Sequence, residues 1–461
     1  MNNTPDWNIF LSPAGSEMNG STFQENAVTI VRRLRDAGFN AYIVGGAVRD
    51  MVMGLTPKDY DIATDASPEA VAGLFGRTHA IGAQFGIGTV TLGGHAFEVA
   101  QFRKDGVYED GRHPSSTEPS GALEDVKRRD FTINALLYDP DTDTIIDHVG
   151  GVEDIHAGIV RTIGAPEQRF AEDNLRMLRA VRFTAHLDFM IDKKTLDAIK
   201  RNALNIGRVS NERVRDELNR MFTGNHPDRA FTLLDETGLL AVVLPEVSAM
   251  KGIAQPETFH PEGDVFEHTR LMFKLFGGGA VPLAWGILLH DVGKPPTLTH
   301  TDRIRFTGHE TIGAEMAKTI MKRLKFSTIL VNRVTALVKN HLRFIHVRDM
   351  KKSTLHRFMS LDGFHEMLEL YRLDCLASHG NLEIYDYLQR EMACEHREKK
   401  NLKLPAPLLN GHDLIALGYE PGPLFKEMLN HLIDAQIEKN IATREEAVAF
   451  IAGMFRRKRL R

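Results

Sequence analysis

The stretch GGAVRDMVMGLTPKDYDIAT, from Gly45 to Thr64, joins two glycines to a pair of aspartates that a single residue separates. Glycines carry no side chain, so the backbone can approach a ligand closely. Residues i and i+2 of a strand point to the same face, which places Asp59 and Asp61 side by side on a predicted strand. Adjacent carboxylates repel each other unless a cation lies between them. The stretch therefore predicts a phosphate-binding turn beside a metal site.

The residues of this stretch suit both halves of such a site. Gly46 and Arg49 lie at the predicted start of a helix, where backbone amides bind phosphate and arginine adds a bidentate contact. Mg²⁺ prefers carboxylates together with phosphate oxygens, which favours Asp59 and Asp61 as its ligands. Glu98, on a neighbouring predicted strand, is a candidate third carboxylate, although an outward glutamate on an edge strand is equally common. Either motif alone is better explained by a turn with solvated aspartates, but their order and spacing together favour a site.

Composition limits the classes of protein to which the chain can belong. Its 461 residues are 43% hydrophobic and 26% charged, which is ordinary for a soluble globular protein of several domains. The net charge of -4 means that any nucleic-acid binding must use local basic patches. Only two cysteines occur, which favours a reducing, cytoplasmic location. We expect no signal peptide and no membrane-spanning segment.

The chain changes character along its length, from mixed to helical. Short apolar runs and one helical run predict an α/β head, and the sequence after EDVKRRDFTINALL is mostly helical. We therefore expect an α+β protein with a mixed-sheet head followed by helical domains. The predicted segments are a flexible leader (1–22), the head (23–150), a helical neck and body (151–255), a second helical domain (256–385) and a C-terminal helical segment (386–461).

Three ordered motifs resemble a known family. GGAVRD with DYDIAT, RRDFTINA at 128–135 and EDNLRMLRAVRF at 172–183 look like bacterial-type (class II) tRNA nucleotidyltransferases and poly(A) polymerases. The resemblance covers roughly residues 38–250. It implies a nucleotidyltransferase-type head that extends RNA without a nucleic-acid template, with Mg²⁺ as its metal and with tRNA, CTP and ATP as partners.

The resemblance also assigns roles to individual residues. It implies that Gly46 and Arg49 hold the triphosphate and that Arg129 touches the nucleotide between head and neck. It implies that Asp59 and Asp61 bind the metal and that Asp173 and Arg176 read the incoming base. Arg179 and Arg182 would contact phosphate or hold that base-reading pair in place. Spacing by three predicts that the residues from Asp173 to Arg182 form one helical stripe. Arginine donors and a carboxylate acceptor match the hydrogen-bonding groups of a base edge. If the flanking motifs were absent, surface salt bridges would be the better explanation of this pattern.

Two features favour CCA addition within this family. IGAQFGIGTV at 81–90 lacks the basic residues that are usual in polyadenylating relatives, and the loop DGVYEDGRHPSS resembles a loop that enzymes restricted to adding CC lack. A poly(A) polymerase or an A-adding enzyme remains the alternative. Basic residues at 200–218 and in the tail RRKRLR are candidates for tRNA contacts by shape and charge, and a solvated charged face is the competing explanation.

The helical second domain carries histidines and aspartates in an order that resembles the HD phosphohydrolase superfamily. The candidate ligands are His268, His290, Asp291, His309, His341 and Asp374. Imidazole with carboxylate suits Mn²⁺, Ni²⁺, Co²⁺, Fe²⁺ or Zn²⁺, and a metal-bound water would attack a phosphoester. Any one of these histidines alone is better explained as a core or capping residue. An HD hydrolase with a nucleotide-binding head is therefore a second interpretation of the chain, and a pure RNA-binding protein is a weaker third.

Overall fold

The computed structural model describes residues 21–76, 78–79, 87–106, 115–256, 263–300, 303–397 and 404–455. The chain divides into two compact units, residues 1–248 and 249–461. The sequence placed the corresponding break between residues 255 and 256, and the finer domain boundaries stay predictions. Of the expected leader, residues 1–20 lie outside the described part of the chain.

The first unit is built on a mixed sheet with the strand order β3-β4-β5-β2-β1-β8-β9. β2 and β5 pair in parallel, whereas the other neighbours pair antiparallel. The strands of this unit are β1 (Ala41–Val44), β2 (Asp61–Thr64), β3 (Thr78–His79), β4 (Ile87–Leu92), β5 (His95–Gln101), β6 (Arg103–Asp105), β7 (Thr117–Pro119), β8 (Leu137–Asp139), β9 (Thr144–Ile146), β10 (Ile159–Val160) and β11 (Met190–Ile191). The pairs β6 with β7 and β10 with β11 form two small separate sheets.

Helices flank and then follow this sheet in the first unit. Their bounds are α1 (Ser21–Asp36), α2 (Gly46–Val52), α3 (Pro68–Phe75), α4 (Ala122–Lys127), α5 (Gly151–Ala157), α6 (Pro166–Glu172), α7 (Leu175–Leu187), α8 (Lys193–Asn202), α9 (Asn211–Phe222), α10 (Pro227–Glu236), α11 (Leu239–Val243) and α12 (Pro245–Ser248). α3 begins as its sequence predicts, because Ser67 accepts a hydrogen bond from the Ala70 amide and Pro68 occupies the first turn.

The regular structure described in the second unit is helical apart from one short hairpin. Its elements are α13 (Val265–Phe276), α14 (Val281–Leu289), α15 (Lys294–Thr297), β12 (Thr299–His300), β13 (Ile304–Arg305), α16 (His309–Arg323), α17 (Thr328–Asn340), a 3-10 stretch (His341–Asp349), α18 (Lys352–Met359), α19 (Phe364–Ala377), α20 (Glu383–Arg397), α21 (Gly411–Ala416), α22 (Pro423–Ile437) and α23 (Arg444–Met454). The apolar run of α14 is buried from Leu283 to Leu289. No helix among the described residues is long and apolar enough to span a membrane.

The predicted α+β class is confirmed, since a mixed sheet forms the head and helices follow it. Two local predictions are wrong. Strand β2 begins at Asp61, so Asp59 precedes the strand instead of lying on it. Asp173 is extended, with φ -149°, at the end of α6, so it does not belong to the helical stripe of Arg176, which lies on α7.

Candidate functional site

The two aspartates of the opening stretch line one cavity of about 520 Å³ in the first unit. Asp61 begins β2, and the register that pairs Ile62 with Val99 brings Glu98 of β5 beside it. Burial, Asp59 and Glu98 raise the pKa of Asp61 to about 6, and Arg129 opposes this shift. The ionised carboxylates therefore crowd one another, which is the electrostatic condition that a bound cation would relieve.

The glycine turn faces these carboxylates. Gly45 has φ 74°, and a Cβ atom there would lie 3.4 Å from Arg129 Nη1 and 4.0 Å from Asp61 Oδ2. The positive φ therefore favours glycine at this position, whereas a Cβ atom would make only ordinary van der Waals contacts. Gly46 starts α2, and Arg49 within that helix is buried.

Arg49 is held in place by two neighbours. Its Nη2 donates to Asp50 at 2.7 Å, and its Nη1 donates to Asn134 Oδ1 at 2.7 Å. Asn134 lines the same cavity, and its buried Nδ2 has no hydrogen-bond partner among the described residues. A buried donor without a partner is costly, so this amide is available to a ligand.

Arg129 reaches the cavity from the bend that follows α4. Its guanidinium donates to Asp125 at 3.0 Å and to the Asn134 carbonyl at 3.2 Å. Asp125 also accepts from Arg128 at 2.6 Å. Burial alone would raise the pKa of Asp125, but the arginines outweigh it and lower that pKa. The aspartate therefore orients both guanidiniums.

The neck residues lie on the cavity wall, and each has a partner. Asp173 accepts two hydrogen bonds from Arg213, at 2.7 and 3.2 Å. Arg176 is buried and donates to Glu172 at 2.6 Å and to the Arg128 carbonyl at 3.0 Å. These pairs fix the orientation of an acceptor and a donor beside one another, which is the pattern that a base edge requires.

Two further neck arginines of α7 lie next in the sequence. Arg179 donates to Asp130 at 2.6 Å and Arg182 donates to Glu217 at 2.6 Å. Burial opposes the charge of Arg179, but Asp130 and Glu217 outweigh it and raise the arginine's pKa. Arg179 lines the cavity, whereas Arg182 does not. The structure thus brings together the predicted head and neck residues except Arg182 and Glu98, which lie next to the cavity without lining it.

The second unit brings its predicted ligands into two adjoining groups. His268, His290 and Asp374 offer ligand atoms within 4.8 Å of one another, as do Asp291, His309 and His341. All of them are buried apart from half-buried Asp374. Five different segments of the unit supply them, and His290 and Asp291 follow the end of α14 directly. A cavity of about 350 Å³ opens onto Asp291, His309, His341 and Asp374.

Backbone carbonyls fix the tautomer of three of these histidines. The Nδ1 atoms of His290, His309 and His341 lie 2.7–2.9 Å from the carbonyl oxygens three residues earlier in the chain. Each Nδ1 therefore carries a proton, which leaves each Nε2 as the ring atom that can bind a metal. The Nε2 atoms of His309 and His341 face each other at 3.3 Å. Two possible ligand atoms thus meet within the cluster, and this geometry suits a shared cation.

Buried polar atoms at the centre of the cluster support the same fit. His290 Nε2 and Asp291 Oδ2 lie 3.1 Å apart, yet neither forms a hydrogen bond of acceptable geometry within the described part of the chain. Burial, together with His290, lowers the pKa of His341 to about 4, so this ring stays neutral. Burial would raise the pKa of Asp291, but His290 and Lys294 hold it well below its usual value. A neutral imidazole at His341 and an ionised carboxylate at Asp291 are the forms that bind metal.

Comparisons with known proteins agree with the order of these motifs. Residues 41–161 match the family model of the poly A polymerase head domain, residues 188–251 match the probable RNA and SrmB-binding site of polymerase A, and residues 306–451 match tRNA nucleotidyltransferase domain 2 (putative). The CCA-adding enzyme of Anoxybacillus flavithermus is 30% identical over 422 residues, which cover 91% of this chain and 94% of that enzyme. The chain belongs to the family of CCA-adding enzymes.

Other members of the CCA-adding enzyme family match more closely over a shorter span. The enzyme of Geobacillus kaustophilus is 45% identical over 226 residues, which cover 49% of this chain and 55% of that enzyme. Such matches span about half the length of these curated relatives. The crystal structure of the Bacillus stearothermophilus CCA-adding enzyme in complex with CTP superposes with a TM-score of 0.70 and 28% identity, over 93% of this chain and 96% of that one.

Sequence reasoning missed several residues that complete the cavity of the first unit and the cluster of the second. Those of the first unit hold predicted site residues in place. Asp125 holds nearby Arg129, whereas Asn134, Arg213 and Glu217 hold residues from distant parts of the chain. Lys294 of the second unit forms an ion pair with Asp291 at 2.7 Å and donates a hydrogen bond to Gln255 at 2.6 Å. Two of these residues had a local signal. Asp125 lies four residues before Arg129, and Lys294 lies three residues after Asp291. Residues 81–86, 107–114 and 456–461, which carry much of the evidence for CCA addition and the basic tail, lie outside the described residues.

Proposed function

We propose that the protein adds CCA to the 3′ end of tRNA from CTP and ATP without a nucleic-acid template. The observation that carries this proposal is one cavity in which Asp59 and Asp61 face the arginines of the head and neck. The 28% identical relative whose structure contains CTP supports a nucleotide in this cavity. Free Cys375 and Cys394 support a cytoplasmic location.

The head carboxylates fit a divalent metal. Asp59 and Asp61 would hold Mg²⁺, and the raised pKa of Asp61 supports this assignment because it reflects crowded negative charge. The ion supplies activation of the attacking hydroxyl and charge stabilisation of the leaving pyrophosphate. Glu98 shares the same face of the sheet and strengthens the negative field at Asp61.

The protein's own groups bind and orient the nucleotide. Arg49 and Arg129, each fixed by a carboxylate, neutralise the triphosphate, and the Gly45–Gly46 turn lets it approach the backbone. Asn134 Nδ2 is a further donor for the substrate. Asp173 and Arg176 present an acceptor and donors to the Watson–Crick edge, so base choice is made by side chains.

The direct test of this function uses the purified full chain. A tRNA lacking its 3′ end is incubated with CTP, with ATP and with both, and product length is read at single-nucleotide resolution. CCA addition predicts two residues added with CTP alone and three with both nucleotides. Addition of many residues with ATP alone would instead identify a poly(A) polymerase. Addition of a single A, and only to a tRNA that already ends in CC, would identify an A-adding enzyme.

We further propose that the second unit is a metal-dependent phosphohydrolase acting on RNA ends. The observation that favours it is the fit of the buried cluster to metal: three oriented imidazoles, facing Nε2 atoms and an ionised Asp291. The six predicted ligands would hold one or two ions of Mn²⁺, Ni²⁺, Co²⁺, Fe²⁺ or Zn²⁺. Such an ion supplies hydroxide at neutral pH.

Within that unit, the residues around the ligands would bind the substrate. Lys294 is buried against Asp291 and lines the 350 Å³ cavity, so its ammonium is positioned to meet a phosphate. Hydrolysis of an RNA end carrying a 2′,3′-cyclic phosphate is the first reaction to test, with Mn²⁺, Co²⁺ and Ni²⁺ in parallel. Absence of hydrolysis with every metal would leave the cluster as a structural metal site.

A further inference from the structure

Phe183 of α7 is an aromatic residue on the wall of the nucleotide cavity, and the functions proposed above give it no role. The ring is buried and lines the cavity. The Cζ atoms of Arg182, Arg179 and Arg49 lie over this one ring, at 4.1, 5.3 and 5.6 Å from its centroid. Phe131 holds it edge-on, with ring centroids 5.8 Å apart. One ring therefore contacts cations from both α2 and α7.

Each of the three guanidiniums is also anchored by one carboxylate. The pairs are Arg49 with Asp50 at 2.7 Å, Arg179 with Asp130 at 2.6 Å and Arg182 with Glu217 at 2.6 Å. A carboxylate fixes one edge of a guanidinium, while an aromatic ring fixes its plane and leaves the remaining donors exposed. Together the acids and the ring determine where each cation points.

Convergence of three like charges is unfavourable without such support. Burial and the neighbouring charge of Arg179 lower the pKa of Arg182, although Glu217 opposes the shift. The face of an aromatic ring carries the negative end of its quadrupole and attracts cations. Phe183 thus reduces the repulsion that would otherwise separate the guanidiniums before a ligand arrives.

We propose that Phe183 is a positioning residue that holds Arg49 and Arg179 as a preorganised site for the phosphates of the incoming nucleotide, while Arg182, which does not line the cavity, packs against the same ring. The identity of the ligand rests on the nucleotidyl transfer proposed above. The ring acts on the phosphates through the arginines, so its effect does not depend on the base. Preorganised cations lose less conformational entropy when they bind, so loss of the ring weakens phosphate binding.

Fluorination tests this role while nearly preserving shape. Phe183 is replaced by mono-, di- and trifluorophenylalanine through stop-codon suppression, and each fluorine weakens the ring quadrupole. Affinities for CTP and for inorganic tripolyphosphate are measured by calorimetry on the full chain without tRNA. We expect both to fall steadily along the series, by about tenfold at the trifluoro derivative.

The matched control is Phe170 of α6, which is equally buried in the same unit and has no guanidinium over its ring among the described residues. The same fluorinated series at Phe170 leaves both affinities unchanged. In the addition assay, Phe183→Leu raises KM for CTP with little change in kcat, because the lost contact serves binding. Phe183→Tyr restores KM, since it keeps an aromatic face.

Three outcomes overturn the inference. One is a flat fluorination series for both ligands, and another is a wild-type chain that does not bind tripolyphosphate. The third is weaker CTP binding with unchanged tripolyphosphate binding, which would make the ring a stacking platform for the base. Failure of the proposed function is a separate result, in which the wild-type chain extends no tRNA while the fluorinated series still reduces tripolyphosphate affinity.

Discussion

The two candidate sites hold their charged residues in opposite ways. In the head, Asp61 is exposed at a cavity of about 520 Å³, and each arginine of the wall is paired in advance with an acid. In the second unit, His268, His290 and Asp291 are at most 1% exposed, and backbone carbonyls fix the imidazole tautomers. An open site of paired charges suits substrates that enter and leave in every cycle. A buried cluster of histidine and aspartate side chains suits a metal ion that remains bound through many cycles.

The largest effect is expected at the open site. Asp61→Asn or Asp59→Ala should lower nucleotide addition by at least about 10²- to 10³-fold, because charge stabilisation of the transition state is lost. The raised pKa of Asp61 means that its charge opposes folding at neutral pH, so Asp61→Asn should not lower the melting temperature. Single-turnover addition and thermal unfolding measure the two effects, with the exposed Asp36→Ala as control. Near-normal addition by either variant would exclude the carboxylate pair as the metal site.

Substitutions in the buried cluster of the second unit should remove its function without affecting nucleotide addition. His290→Ala combined with Asp291→Ala should remove bound transition metal and any phosphoester hydrolysis, while CCA addition stays nearly unchanged because distant sites are roughly independent. Elemental analysis after purification without chelators should give one or two ions per wild-type chain. His346→Ala, an exposed histidine of the same unit, is the control. Loss of nucleotide addition in the double variant would mean that the second unit supports the fold or the tRNA.

Substitution of Asp173 or Arg176 should have a smaller effect, which concerns the choice of the incoming nucleotide. Asp173→Ala or Arg176→Ala should reduce the preference for CTP and ATP over UTP and GTP by about 1–3 kcal/mol, the value of one bidentate contact. Competition assays with all four nucleotides measure this ratio at fixed tRNA. Arg32→Ala, which removes an exposed ion pair with Asp141, should leave it unchanged. If both neck variants keep the wild-type preference, their ion pairs serve the fold alone.

The smallest effect concerns stability and pH. Burial would raise the pKa of Asp130, but Arg179 outweighs it and lowers that pKa, so the carboxylate stabilises the fold when ionised. This contribution is present above the unfolded pKa of about 3.9 and is lost as the pH falls through the folded value. Asp130→Asn should therefore cost about 1–3 kcal/mol at neutral pH, and less as the pH falls below about 4. Denaturant titrations across this range measure the difference, and a constant difference would remove Arg179 as its cause.

Local patterns predicted the chemistry of both sites but not the geometry that orients it. The order of the histidines and aspartates was sufficient to select the six residues that the structure brings together, because they lie in five short motifs, one of which holds both His290 and Asp291. Arg213 could not be paired with Asp173, since 40 residues separate them and only the tertiary fold brings them together. Strands β8 and β9, of three residues each, are too short for their alternation to stand out from the helical sequence around them.

The parallel pairing of β2 with β5 has a consequence for how the head folds. Ile62 and Val99 pair across about 37 residues of chain, which include α3 and β4, whereas the antiparallel neighbours β4 and β5 pair through a tight turn. Non-local pairings close late, because loop-closure entropy must be overcome first. Glu98 therefore joins Asp61 only when this crossover is complete. In a refolding experiment, Mg²⁺ affinity at the head should appear with the slowest structural phase. Mg²⁺ binding would then measure completion of the native head.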